Sequence, residues 1–189
     1  MIPGNDSISN RGGEVYNLIF RLQINKPVGV EVGVFKGEMS RYVLNSHPDL
    51  ILHMVDMWAP HVGGSPYYAS GDPHSTTTVD EHETCYQAAL ENVKEFGERA
   101  VIVRKPSVKA AADFADASLD FVFLDADHSF EGVTADLKAW VPKVKPGGFI
   151  GGHDYGNHNY TKTKVKEAVL EFFGKEPECR TDMTWFVTL

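Results

Sequence analysis

Near-continuous apolar runs recur along this chain with helix-period segments between them, and that alternation restricts the fold more than any single residue does. The runs are "VGVEVG", "LILHMVD", "AVIVRK", "LDFVFLDAD" and "GGFIGGHDY"; the segments between them include "GEMSRYVLNS", "DEHETCYQAALENVKEFG", "VKAAADFA" and "EGVTADLKAWVP". Strands apolar on both faces, joined by crossovers long enough for a helix, make a parallel sheet covered on both sides. The chain therefore reads as doubly wound α/β, with five parallel strands ending after Val30, Val55, Val103, Leu124 and Ile150. An opening helix is expected over residues 13–25, with Val15, Leu18, Ile19 and Leu22 on one face. After "GGHDY" come a helix, "KTKVKEAVLEFFGK", and two short strands, "ECRTD" and "TWFVTL", which would complete a seven-stranded sheet as a C-terminal antiparallel hairpin.

A length of 189 residues, 42% of them hydrophobic, supports one substantial core, so residues 1–189 are expected to form a single domain with residues 1–27 as a helical extension. The 18 basic and 26 acidic side chains give a net charge of −8, which disfavours nucleic acid and anionic membranes as partners and favours a small molecule. Cys85 and Cys179 have no CxxC spacing, which fits two packed thiols in a reducing compartment and no disulfide or zinc knuckle. The start, "MIPGNDSISNRGGEVY", lacks a cationic segment leading into an apolar one, and nowhere do 18 apolar residues run together. A soluble cytoplasmic protein is the expectation, with a homo-oligomer left open. Residues 57–80, rich in Gly, Pro, Ser and Thr, break the alternation, and so long a connection in a compact domain is more often a binding loop than padding. Trp58, Tyr67, Tyr68 and His74 within it could line a pocket.

Ligands of open parallel sheets sit beyond the carboxyl ends of the strands, where the strand order reverses. The first strand runs into Glu31-Val32-Gly33-Val34-Phe35-Lys36-Gly37. A dinucleotide turn wants G-x-G-x-x-G so that a pyrophosphate can approach the backbone, and here Phe35 takes the middle position. Asp56, followed by Met57, closes the second strand where a carboxylate can accept both hydroxyls of a ribose. Ser107 follows the third strand, beside an adenine or as a helix cap. Acidic, histidine and hydroxyl groups crowd the ends of the fourth and fifth strands in "LDFVFLDADHSFEGVTADLKAWVPKVKPGGFIGGHDYG".

The acid-x-glycine turn from Glu31 to Gly37, together with that crowded stretch, resembles class I S-adenosylmethionine-dependent methyltransferases, in particular the metal-assisted small-molecule O-methyltransferases of the catechol and macrolide-sugar type. The likeness covers roughly residues 28–173 and is densest over 119–155. It implies a Rossmann-like fold and S-adenosylmethionine held by Glu31, Gly33, Val34, Phe35, Gly37, Asp56, Met57, Ser107 and Asp125. It also implies a divalent ion, Mg or Mn, on Asp125, His153 and Asp154. His153 departs from the family's usual carboxylate, and imidazole favours softer ions than Mg²⁺. Three arrangements stay open: a metal on Asp125 and Asp154 alone, His153 as a third ligand, or no metal and His153 as the base. His128, three residues beyond Asp125, matches the family's base and would take the proton of an acceptor hydroxyl. A nicotinamide oxidoreductase and a non-catalytic nucleoside-binding module are the competing readings.

Overall fold

The computed structural model describes residues 6–157, 163–180 and 182–189, with side chains from Arg11 onward. His158, given no role above, lies outside them, as do Lys162 and Thr181 at the edges of two expected elements. Helix α1 (Asp6–Arg21) precedes β1 (Val28–Val32), α2 (Glu38–Ser46), β2 (Ile51–Asp56), α3 (Val79–Val93), β3 (Ala100–Arg104), α4 (Ser107–Ala111), β4 (Leu119–Leu124), α5 (Phe130–Trp140), β5 (Val144–Gly152), α6 (Val165–Phe173), β6 (Glu178–Cys179) and β7 (Trp185–Thr188). The seven strands lie in the order β3-β2-β1-β4-β5-β7-β6. The first five are parallel, and β7 runs antiparallel to both β5 and β6, as the sequence pattern indicates.

Two apolar clusters sandwich the sheet. Val15, Leu18 and Ile19 of α1, Val43 and Leu44 of α2, and Ala89 and Val93 of α3 cover one face. Ala110 and Ala111 of α4, Val133, Leu137 and Trp140 of α5, and Val165 and Val169 of α6 cover the other. Central β4 is buried at all six positions, the signature of a strand with helices on both sides. The strand order reverses between β1 and β4, so their carboxyl ends, with that of β5, frame the crevice in which a ligand of this architecture binds.

Two expectations need correction. The opening helix starts at Asp6 rather than residue 13 and stops at Arg21, because Gln23 adopts a left-handed backbone (φ 52°) ahead of Pro27. Gly12 and Gly13, each costing about 1 kcal/mol in a helix interior, are tolerated because α1 presses on α2 there: a Cβ at Gly12 would lie 2.6 Å from Cδ1 of Tyr42. The second correction concerns the thiols, of which Cys85 is buried while Cys179 is exposed on β6, the outer edge of the sheet. The loop over residues 57–78 folds into short 3-10 turns at Tyr68–Ser70 and Pro73–Thr76. Thr78 then starts α3 with a capping box to Glu81. No helix among the described residues is long and apolar enough to cross a membrane.

Candidate functional site

The turn after β1 is tight because Gly33 adopts φ 89° and lies against the neighbouring strand, where a Cβ would sit 2.1 Å from the carbonyl oxygen of Asp125. Phe35 follows in the left-handed region (φ 53°), a conformation that bulky residues rarely adopt. Asp56 holds that conformation: its Oδ2 accepts from the backbone N–H groups of Val34 and Phe35, both at 3.0 Å, and its Oδ1 from that of Trp58 at 2.8 Å. The Trp58 indole donates to the Phe35 carbonyl at 2.8 Å. Asp56 therefore builds the turn as well as standing beside it. A carboxylate offers about four acceptor positions, so a ribose diol must displace one of these N–H groups or share an oxygen with them.

Glu31 lies at the floor of the crevice, 2% exposed, and accepts a hydrogen bond from the Ser40 hydroxyl. Burial pushes its carboxyl up to about 8, Ser40 opposing and the nearby Asp125 adding to the push. It is mostly protonated at neutral pH until a cation comes near. Ser107 is neither a cap nor free: Pro106 occupies the cap position, and the Ser107 hydroxyl donates to Asp136 and accepts from the Trp140 indole at 2.9 Å. Any contact to an adenine would use what that network leaves. Gly37 (φ 74°) precedes α2 as its cap, and half-buried Met57 follows Asp56.

The acidic crowd at the ends of β4 and β5 closes into one cluster. His128 lies with Nε2 3.3 Å from Asp125 Oδ1 and 3.2 Å from Asp154 Oδ2, while Nδ1 is 2.8 Å from Asp72 Oδ2. Asp72 comes from the long loop, is 3% exposed, and also accepts from the His74 backbone N–H at 2.8 Å. Burial alone would lower the His128 pKa, but the hydrogen bonds to Asp125 and Asp72 and the charges of Asp125 and Asp154 hold it up at about 10. Burial likewise pushes Asp125 up, and the Arg11 guanidinium, with His128 and His153, keeps it well below the usual carboxylate range instead. Asp154 has a left-handed backbone (φ 62°) and accepts from the Asn157 side chain. Strain of this kind concentrates at functional sites.

Asp125, His128 and Asp154 each present one ligand atom within 4.8 Å of the others. Adjacent ligands of an octahedral ion with bonds near 2.1 Å stand about 3 Å apart, close to the two distances that His128 makes. A metal-bound imidazole usually hands its other N–H to a carboxylate, and Asp72 stands there. The residues thus fit a divalent ion. His153 stands outside the trio: its Nδ1 is 3.0 Å from Asp154 Oδ2, and its Nε2 is 3.0 Å from Arg11 Nη2 and 3.6 Å from Asp182 Oδ2. Asp127 shapes its loop, accepting from the Ser129 N–H at 2.8 Å. Of the loop aromatics, Tyr67 approaches the cluster, its ring centroid 6.2 Å from that of His128.

Three members of the cluster escape a sequence reading: Asp72, Arg11 and Asp182. Asp72 sits in "GDPH", which signals a turn and nothing more, and the fold brings it to His128 across 56 positions. Arg11 comes from α1, 114 positions from Asp125. Its only local mark is an arginine beside two glycines.

A mostly parallel sheet that reverses order at β1 and β4, with a glycine turn after β1 and a closing antiparallel pair, is the fold of class I S-adenosylmethionine-dependent methyltransferases. The chain belongs to the methyltransferase-domain family, whose profile matches residues 30–155. Among solved structures it resembles the O-methyltransferase NovP, with TM-score 0.64 and 18% identity over 96% of this chain and 79% of that one. It also resembles the calicheamicin methyltransferase CalS11, with TM-score 0.69 and 13% identity over 95% of this chain and 77% of that one; CalS11 is a TDP-rhamnose 3'-O-methyltransferase. At these identities the likeness is one of fold. A stretch of 80 residues is 29% identical to the uncharacterized protein y4gI of Sinorhizobium fredii, covering 40% of this chain and 9% of that protein, so the chain spans less than a tenth of this curated relative's length.

Proposed function

We propose that this chain transfers a methyl group from S-adenosylmethionine to a hydroxyl of a small sugar-like or polyhydroxylated acceptor. The carrying observation is His128, its Nε2 facing the strand ends and its Nδ1 fastened to buried Asp72. That arrangement fixes the tautomer and the direction of the imidazole, as a base for oxygen methylation requires. The donor would lie along Gly33 to Gly37 with its ammonium toward Glu31 and its methyl carbon toward Asp125. The acceptor oxygen attacks that carbon in line with the sulfur, its proton passes to His128 Nε2, and S-adenosylhomocysteine leaves.

In the free protein the surrounding carboxylates keep His128 protonated. Positive charge arriving beside Asp125 and Asp154 favours the neutral imidazole, and the donor's sulfonium supplies one such charge. A divalent ion bound by Asp125 and Asp154 would acidify the acceptor hydroxyl and fix its oxygen. In that arrangement the ion sits on the two carboxylates alone, and His128, whose Nε2 could otherwise serve as a third ligand, keeps its lone pair for the proton. The sugar-like acceptor is supported by the fold shared with CalS11 and by the carboxylates of Asp125 and Asp154 in the crevice, which can accept hydrogen bonds from hydroxyls. Methyl transfer from labelled S-adenosylmethionine to TDP-rhamnose and to catechol, with and without Mg²⁺ or Mn²⁺, tests the reading. Labelled product from either acceptor is expected. Donor binding without methylation of any hydroxyl acceptor would favour a nucleoside-binding module.

A further inference from the structure

We propose that Arg11 is the resident cation of the carboxylate cluster, so that a divalent ion can enter only as Arg11, and with it the start of helix α1, withdraws. The proposal rests on the cation-site part of the functional reading and is independent of which acceptor is methylated. Arg11 Nη1 donates to Asp125 Oδ2, its Nη2 lies 3.0 Å from His153 Nε2, and its Nε lies 3.8 Å from Asp182 Oδ2. The guanidinium thus bears on the same carboxylate that the trio of Asp125, His128 and Asp154 would offer to an ion. It is largely buried, so solvent screens little of the repulsion between its fixed charge and a divalent cation on Asp125.

The helix that carries Arg11 is suited to give way. Gly12 and Gly13 follow directly, and glycine pairs weaken a helix from within. Gly12 lets α1 lie against Tyr42, which aims Arg11 across the crevice at the ends of β4 and β5. On the far side of the glycines, Val15, Leu18 and Ile19 are buried in the core and hold the rest of the helix down. The glycines therefore separate the part of the helix anchored by apolar packing from the turn that carries Arg11. An ion that takes Asp125 leaves Arg11 with His153 and Asp182 alone, and so loosens the turn that carries it while the packed part of the helix stays in place. Cation entry and the position of residues 6–11 become alternatives of one equilibrium.

Mn²⁺ alone, titrated into the full chain and followed by electron paramagnetic resonance, reads the competition directly. Arg11→Gln should bind Mn²⁺ at least tenfold more tightly than the wild type, and Asp125→Asn should abolish the gain when added to Arg11→Gln. Equal or weaker binding by Arg11→Gln, or no binding by either protein, overturns the proposal. A second measurement needs no variant: hydrogen exchange of the wild-type chain should speed up over the first turns of α1 as Mn²⁺ reaches millimolar concentration, while the amides of Val15 to Ile19 keep their protection. Unchanged exchange over those turns overturns the proposal even if Arg11→Gln does not fold. Binding of S-adenosylhomocysteine, measured separately, decides the methyltransferase reading and leaves this one untouched.

Discussion

Replacing His128 with alanine is expected to lower turnover by ~10²–10⁴-fold, the usual contribution of a positioned general base. Donor affinity should change little, because the contacts proposed for the donor, from Glu31 to Gly37 and at Asp56, Met57, Ser107 and Asp125, do not include His128. The loss should be smallest for acceptors with acidic hydroxyls, which need a base least. Asp72→Asn belongs to the same prediction. An amide can still hydrogen-bond the imidazole, but it does not favour the imidazolium and can select the wrong tautomer. It should therefore lower kcat more than it raises KM, with the steepest loss for alcohols and the mildest for phenols. Steady-state kinetics with one alcohol and one phenol as acceptors checks both variants. A His128→Ala protein with wild-type turnover on an alcohol would remove His128 from the chemistry and leave His153, 3.0 Å from Asp154, to take its place.

Gly33→Ala should be the most damaging small substitution in the crevice. The new Cβ would stand 2.1 Å from the Asp125 carbonyl oxygen and 2.4 Å from its carbon, both backbone atoms of a central strand's end that cannot swing away as a side chain would. The left-handed backbone adds its own penalty of about 1–2 kcal/mol, and forcing packed backbone apart adds about 1–3 kcal/mol. For a chain of this size the sum corresponds to a fall in Tm on the order of 10 °C. It would also displace Asp125 from His128, coupling stability to the site. Thermal unfolding by circular dichroism measures the fall, and a Tm within 2 °C of wild type, as an order-of-magnitude threshold, would mean that β1 and β4 part more easily than their packing indicates.

The five parallel strands were legible because each is marked twice, by an apolar run and by the helix that follows it. Central β4 is the plainest case, six apolar or buried positions leading to Asp125. Gly33, Asp125, His128 and Asp154 were legible for a related reason. They sit at strand ends or, for His128, in the short connection just beyond one, and the ends of β1, β4 and β5 are forced together once the sheet order is known. Asp72 and Arg11 were not, because nothing periodic connects the long loop or α1 to the cluster. Their positions depend on how Pro73–Thr76 turns and on how closely Gly12 approaches Tyr42. Asp56 was legible as a residue and only in part as a role. Its place at the end of β2 suggests a ribose, whereas its bonds to Val34, Phe35 and Trp58 show that it also holds the turn in shape. The start of the opening helix is hidden for a comparable reason: two adjacent glycines argue against a helix until a close neighbour explains them.

The central claim is that the crevice at β1 and β4 takes an S-adenosyl donor with its ammonium against Glu31. Calorimetry with S-adenosylhomocysteine and with NADH, each at pH 6 and pH 8, tests it. Glu31 has its carboxyl raised to about 8 by burial, so it is largely protonated at the lower pH. A bound ammonium favours the carboxylate, so donor binding releases a proton and affinity rises with pH toward 8, by up to about tenfold per unit. The account predicts that S-adenosylhomocysteine binds, more tightly at pH 8 than at pH 6, and that Glu31→Gln flattens this dependence while NADH does not bind. Binding of NADH in preference to S-adenosylhomocysteine would contradict it.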